Sequence, residues 1–295
     1  MNLTTATVDS AACNEEITML KRIITGICII AALIPIIIFS NTWVFPIVMA
    51  LISVISIYEL AHCMGLHKRF VMLAPLYIFG LAFPFLQRAL DDIIKVAIIA
   101  MMAVIFYVSY MFCVAIFYHG KITYPEICTV CLTSLYILFS LNMIIYIRDY
   151  NGYIAFLILV GAWVTDAMAY FTGRFLGKHK LAPEVSPKKT IEGSIGGTVF
   201  CAIAFVLMGL VVKALVKDSS PNYIYLAISG LVIAVVSQAG DLIMSVIKRH
   251  YNIKDFGNLF PGHGGMLDRM DSVFSVALGM QAIIMITHLT GISLF

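Results

Sequence analysis

The chain has 295 residues, of which 61% are hydrophobic and 12% charged, and its formal net charge is +3. Soluble domains run roughly 45–50% apolar and about 25% charged. The balance here excludes an ordinary soluble globule and points to the bilayer; the small net charge, with no basic tail, argues against nucleic-acid binding.

Residues 1–22 read as a polar N-terminal tail ending at Lys21-Arg22. The apolar run that follows has no small-residue cleavage site, so it reads as a retained span rather than a signal peptide. From there, runs near the ~20 residues that cross a bilayer fill the chain. Nine spans are expected, at about 23–39, 43–61, 70–86, 96–118, 127–147, 152–172, 194–212, 223–247 and 272–294. The second is interrupted by Glu59 and the third by prolines. The fold class expected is all-α, a polytopic membrane bundle forming one domain over 23–295.

The 19 Lys and Arg test this layout. With the N-terminus inside, 14 fall in the tail and in alternate loops, and 5 (Arg88, Lys95, Arg148, Lys213 and Lys217) on the other side. That asymmetry fits the positive-inside rule. It puts the two richest polar loops, 173–193 and 248–271, together on the cytoplasmic side. Cys128 and Cys131 have CxxC spacing at the start of a span, but no second pair accompanies them. With the other five cysteines they read as inert thiols.

Three polar patches interrupt the apolar pattern. In the first, Asp166, Tyr170 and Gly173 share one helix face. A charged Asp inside a span costs roughly 2.5–3.5 kcal/mol on insertion scales, so it usually faces protein or water and has a task; the plainer reading is a packing residue near the interface. In the second, Ser186 and Pro187 read as an N-cap and first helical position. Lys188 and Lys189 then fall in a first turn, where the helix dipole disfavours cations unless an anion neutralises them. The plainer reading is lysines flanking a span. Gly193 and Gly197 have helix-packing spacing.

The third patch runs from Lys248 to Ser272 and gathers seven charged residues with Gly257, Gly262, Gly264 and Gly265. Before it, Asp241, Ser245 and Lys248 lie on one helix face, so Asp241 is expected to find Lys248 or a metal ion. After the glycines, Asp268 and Asp271 open the last span. Carboxylates suit Mg²⁺, which commonly takes one or two of them plus substrate phosphates. Glycines permit close backbone approach to a ligand, and His263 among them suits a phosphate or acid-base role. Together the patches hold the parts of a phosphoryl-type transfer site. The fingerprints GxxxxGK[ST], GxGxxG and HExxH are absent from the sequence.

Ser245-Val-Ile-Lys248-Arg249, then Lys254-Asp255-Phe-Gly257, then Phe260-Pro261-Gly-His263-Gly264-Gly265-Met-Leu-Asp268-Arg269-Met-Asp271 resembles the signature of the phosphatidate cytidylyltransferase (CDP-diacylglycerol synthase) family. The segments Asp166-xxx-Tyr170-xx-Gly173-Arg174-xx-Gly177-Lys178 and Ser186-Pro-Lys188-Lys189-Thr190-xx-Gly193 are similar to it as well. The resemblance covers about 160–271, the catalytic half.

It implies that CTP and phosphatidate (phosphatidic acid) react with Mg²⁺ to give CDP-diacylglycerol and diphosphate. Asp241 and Asp268 are expected to hold the metal, with Asp271 and Asp166 beside them. Asp166, Lys189, Asp241 and Asp268 form the expected catalytic set. Ser186, Lys188, Lys189, Lys248, Arg249, His263 and Arg269 are the expected substrate contacts. The lipid tails would stay in the bilayer of a bacterial plasma membrane. Whether two copies pair as a homodimer is left open. The rival readings are a CTP-dependent lipid kinase and, from another class, a secondary transporter for a phosphorylated solute. Transporters often carry inverted repeats, and no repeat is found.

Overall fold

The computed structural model describes residues 24–29, 31–90, 93–118, 120, 122–216 and 218–295. The expected tail with Lys21 and Arg22, and also Cys13, Lys121 and Lys217, lie outside the described residues. Among the described residues nine helices are long and apolar enough to cross a membrane, and the protein is an integral membrane protein. They are α1 (Ile24–Asn41, ending in a 3₁₀ turn), α2 (Val44–Cys63), α3 (Phe70–Ala89), α4 (Ile93–Phe117) and α5 (Tyr124–Tyr150), then α6 (Gly152–Leu176), α7 (Ile191–Leu215), α8 (Tyr223–His250) and α9 (Leu267–Thr290). Helices are the natural outcome, because in lipid the backbone must satisfy its own polar groups.

Local chemistry sets several ends. Thr123 and Glu126 form a capping box at the start of α5. Asn151 Oδ1 accepts from Tyr153 N and Ile154 N and starts α6. Gly291 closes α9 in the left-handed conformation (φ 70°). Four starts fall three or more residues before expectation; those of α4 and α5 are at Ile93 and Tyr124 rather than 96 and 127. The run from 194 begins at Ile191, and the run from 272 begins at Leu267, which places Asp268 and Asp271 inside α9.

The five basic residues expected away from the cytoplasm include Arg88 and Arg148, and the fold brings these two near one another. Arg88 pairs with Asp149 and donates to Ser40 O at 3.0 Å, while Arg148 Nε donates to Ser40 Oγ at 2.6 Å. The ends of α1, α3 and α5 therefore meet on one side, as the alternation of loops requires.

The interior has two main apolar clusters. One packs Ile57, Leu60, Leu73, Ile137 and Leu141 from α2, α3 and α5 with Phe256, Leu267 and Phe274. The other packs Leu157, Phe205, Leu226, Ile233 and Val276 from α6–α9. Helices α5 and α9 contribute to both. Helices α6 and α7 approach most closely through glycine. A Cβ on Gly197 would lie 2.8 Å from Thr165 O, and one on Gly193 would lie 2.6 Å from Ala169 O.

The α6–α7 connection is not purely helical. Lys180–Ala182 (β1) pairs antiparallel with Ser186–Thr190 (β2), Lys180 opposite Thr190 and Ala182 opposite Ser186. This corrects the expectation that Ser186 caps a helix. Thr190 is the N-cap, its Oγ1 accepting from Gly193 N at 3.1 Å. Pro187 sits instead in a two-stranded ribbon, where its missing N–H costs little at an edge. Lys188 and Lys189 lie on a strand and not in a helical first turn.

Candidate active site

The β-hairpin is fastened at both ends. At its base, Glu192 accepts from Lys178 N at 3.1 Å and from His179 N, and His179 Nδ1 lies 2.7 Å from its Oε1. At its turn, Arg249 Nε donates to Val185 O and Arg249 Nη1 to Ile253 O, both at 3.2 Å. Below the hairpin, a cavity of about 270 Å³ is lined by Lys188 and Lys189, Arg174, Tyr170, Asp166 and Asp241, among others. The shared face of Asp166, Tyr170 and Gly173 looks into it.

Lys189 Nζ forms an ion pair with Asp241. This corrects the expected pairing of Asp241 with Lys248. Seven residues along a helix rise ~10 Å, too far for that contact. Lys248 reaches α9 instead, its Nζ donating to Asp268 Oδ1 at 2.9 Å.

Asp268 is nearly sealed, with 2% of its side chain exposed. Its Oδ2 accepts from Phe256 N at 2.8 Å and Gly265 N at 3.0 Å. Three protein donors therefore hold both oxygens of a residue expected to be a metal ligand. Asp271, one turn on, lies within electrostatic reach of Asp166 and Asp241. Asp166 Oδ2 accepts from Ser272 Oγ at 2.9 Å and feels Lys189 and Arg269. Asp166, Asp241 and Asp271 thus come from α6, α8 and α9 to one place.

A second cavity, about 790 Å³, runs between α1, α2, α6 and α9. Most of its wall is apolar, including Leu33, Met49 and Phe156. One end carries Asp166, His263, Arg269 and Asp271, and the far end reaches Ser40 and Arg148. His263 Nδ1 is buried there with no protein hydrogen-bond partner among the described residues. Gly262 (φ 76°) and Gly264 (φ 83°) allow the backbone turn that carries this histidine.

The structure thus gathers Asp166, Lys188, Lys189, Asp241, His263, Asp268, Arg269 and Asp271 around the two cavities. Ser186, Lys248 and Arg249 line neither. Among the described residues no group of three His, Cys, Asp or Glu side chains makes a ready metal cage. The oxygen-rich donor set still suits a hard cation of the Mg²⁺ type, which takes only one or two carboxylates from the protein and completes its shell with phosphate and water.

The cytidylyltransferase family matches this chain over residues 20–287. The chain belongs to that family. A phosphatidate cytidylyltransferase of Bacillus subtilis is 33% identical over 267 residues, spanning 88% of this chain and 95% of that protein. One from Thermotoga maritima is 39% identical over 144 residues, 48% of this chain and 53% of that protein. One from Staphylococcus epidermidis is 47% identical over 124 residues, 42% of this chain and 45% of that protein. The family match is wider than the motifs. It takes in α1–α5 as well as the polar loops.

Two residues of this cytidylyltransferase-family protein were not among the expected site residues: Arg174, which lines the hairpin-side cavity, and Glu59. Glu59 on α2 is 5% exposed and lies against the α8–α9 loop. The sequence signal for it was a lone carboxylate in an apolar run.

Proposed function

We propose that the protein transfers the cytidylyl group of CTP to phosphatidate, forming CDP-diacylglycerol and diphosphate. The observation that carries this reading is that Asp166 lines both cavities. A basic, polar cavity on the hairpin side suits a nucleoside triphosphate. An apolar cavity between spans, polar at one end, suits a lipid phosphate with its tails in the bilayer. Where the two meet, the reacting groups meet.

In this reading Lys188, Lys189 and Arg174 take the triphosphate of CTP. Arg269 and His263 take the lipid phosphate. A phosphate oxygen of phosphatidate attacks the α-phosphorus of CTP, the bond from that phosphorus to the bridging oxygen of the β-phosphate breaks, and diphosphate leaves. The attacking oxygen needs no strong base, because a phosphomonoester loses its second proton near pH ~6. The protein's work is to bring two anions together and to neutralise the charge that grows on the leaving group.

Asp241 and Asp271, with Asp166 beside them, are the residues we assign to Mg²⁺, and the ion would supply charge neutralisation at the phosphates. Asp268, whose oxygens are engaged by Lys248 and two amides, we assign to holding the loop. The ion pair between Lys189 and Asp241 then opens when CTP arrives, the lysine passing from carboxylate to phosphate. We assign the site to the cytoplasmic face of a bacterial plasma membrane; the concentration of Lys and Arg in its loops supports that orientation, and the bacterial relatives support that membrane.

The test uses purified protein in detergent with Mg²⁺, phosphatidic acid and CTP labelled at either the α- or the γ-phosphate. Label from the α-position in the lipid fraction, and none from the γ-position, is the expected result. Label from the γ-position in lipid would overturn the reading in favour of phosphoryl transfer.

A further inference from the structure

We infer that Glu59 of α2 is a positioning residue for the transfer site: its buried carboxylate clamps the start of α9 and the glycine loop before it, and so sets where His263, Arg269 and Asp271 stand. The inference rests on the function proposed above.

A helix begins with N–H groups that have no partner within the helix. Met266, the N-cap of α9, supplies no side-chain cap. Glu59 supplies it from another helix. Its Oε1 accepts from Met266 N at 3.0 Å and its Oε2 from Leu267 N at 2.8 Å, across 207 and 208 residues of sequence. A carboxylate there also meets the favourable end of the α9 dipole. Glu59 stands on a rigid base, since its neighbours Ile57 and Leu60 are buried in the larger core cluster.

The loop is shaped to receive this group. A Cβ on Gly265 would lie 2.4 Å from Glu59 Oε2, and one on Gly257 would lie 2.5 Å from Oε1. At both positions the three nearest atoms all belong to Glu59. Neither glycine is in the left-handed region. They are small because the carboxylate fills the space. The loop is therefore wrapped around two buried carboxylates, Glu59 from α2 and Asp268 from α9. His263 of the loop, with Arg269 and Asp271 of the α9 start that the loop leads into, lines the apolar cavity. No residue of the 256–271 stretch lines the hairpin-side cavity.

That asymmetry gives the test its discriminating power. Wild type, Glu59→Gln, Gly265→Ala, Glu59→Ala and the double variant Glu59→Ala/Gly265→Ala are compared in detergent. Hydrogen exchange over 256–270 is measured beside kcat and the KM for CTP. Glutamine matches the size of Glu59 but turns an NH₂ group toward an N–H donor. Glu59→Gln is expected to speed exchange in the loop alone and to lower kcat by about 10- to 100-fold, as loss of an orienting partner does, while the KM for CTP stays within about twofold. Gly265→Ala should act likewise in wild type and add little once Glu59 is alanine.

Unchanged loop exchange and unchanged kcat in Glu59→Gln would overturn the inference. So would faster exchange throughout the bundle with a parallel loss of CTP affinity, since that is the mark of a general fold role. If wild type transfers no label, the function reading has failed, and the exchange data still decide whether Glu59 clamps the loop.

Discussion

Replacing Asp268 with asparagine separates the two roles a carboxylate at this position can have. The side chain is 2% exposed and its partner Lys248 11% exposed. Two backbone amides and one ammonium converge on its oxygens. Asparagine has one acceptor oxygen and an NH₂ group, so either the ammonium or the amides lose their partner. Breaking a buried pair from one side costs about 3–5 kcal/mol. Folded domains are stable by about 5–15 kcal/mol in total. For a chain of 295 residues, with an unfolding entropy of ~2.1 cal/mol/K per residue, the loss corresponds to a fall in melting temperature of roughly 5–8 °C.

Thermal unfolding of the purified protein in detergent reads this directly. Adding Lys248→Met to Asp268→Asn removes the stranded ammonium and should recover part of the loss. Asp241→Asn is the contrast. Its ion pair with Lys189 is about a quarter exposed at each end, so its loss should lower the melting temperature less than loss of the sealed Asp268–Lys248 pair, whereas α-label transfer should be abolished. Asp268→Asn melting with wild type, but requiring far more Mg²⁺ for activity, would refute the assignment. Asp268 would then be a metal ligand, as sequence reasoning alone suggests.

Lys189→Met should lower kcat/KM for CTP by about 10- to 100-fold, the value of one charge-assisted phosphate contact of 1.5–3 kcal/mol, measured by α-label transfer at varied CTP. Gly197→Ala should destabilise the bundle by about 1–3 kcal/mol through overpacking at the α6–α7 contact, seen in the same melting assay. Arg249→Ala should free the hairpin turn from the end of α8, and cleavage by added protease within 180–190 should quicken. Chelation of divalent cations should stop α-label transfer, Mg²⁺ should restore it, and full transfer in excess chelator would remove the metal from the proposed mechanism.

The spans were legible because twenty apolar residues between charged breaks leave few alternatives in lipid. Asp166 and Asp241 stood out for the same reason, as carboxylates whose cost in an apolar run demands a partner, whereas Lys189 and Asp271 stood out as a cation and a carboxylate suited to phosphate and a metal ion. The identity of the partners was not legible. Asp241 and Lys248 share a helix face, but which cation meets which carboxylate depends on how the hairpin and α9 dock, and a helical period says nothing of docking. The strand character of Ser186–Thr190 was hidden by Ser-Pro, which is as good a helix start as it is a ribbon edge. Glu59 was visible only as an anomaly in α2, because its donors lie more than 200 residues away. Gly265 read as room for a ligand and Gly257 only as part of the family signature, and at both the group that fills the room is the protein's own carboxylate.

The same geometry explains why so apolar a chain concentrates charge near its C-terminus, and why the concentration alone is insufficient. Around the junction, Arg174, Lys188, Lys189 and Arg269 face Asp166, Asp241 and Asp271. Four cations against three carboxylates leave only a small positive excess. In the proposed reaction a lipid phosphate carrying roughly −1.5 to −2 must approach a triphosphate, and that excess does not offset their mutual repulsion. A divalent ion held by Asp166, Asp241 and Asp271 would turn the acidic side of the junction into an attractive one. Carboxylates in a phosphate site are a liability without the ion and a requirement with it. Asp268 stands apart from that balance because Lys248 already neutralises it, and a carboxylate so neutralised is suited to holding a loop still.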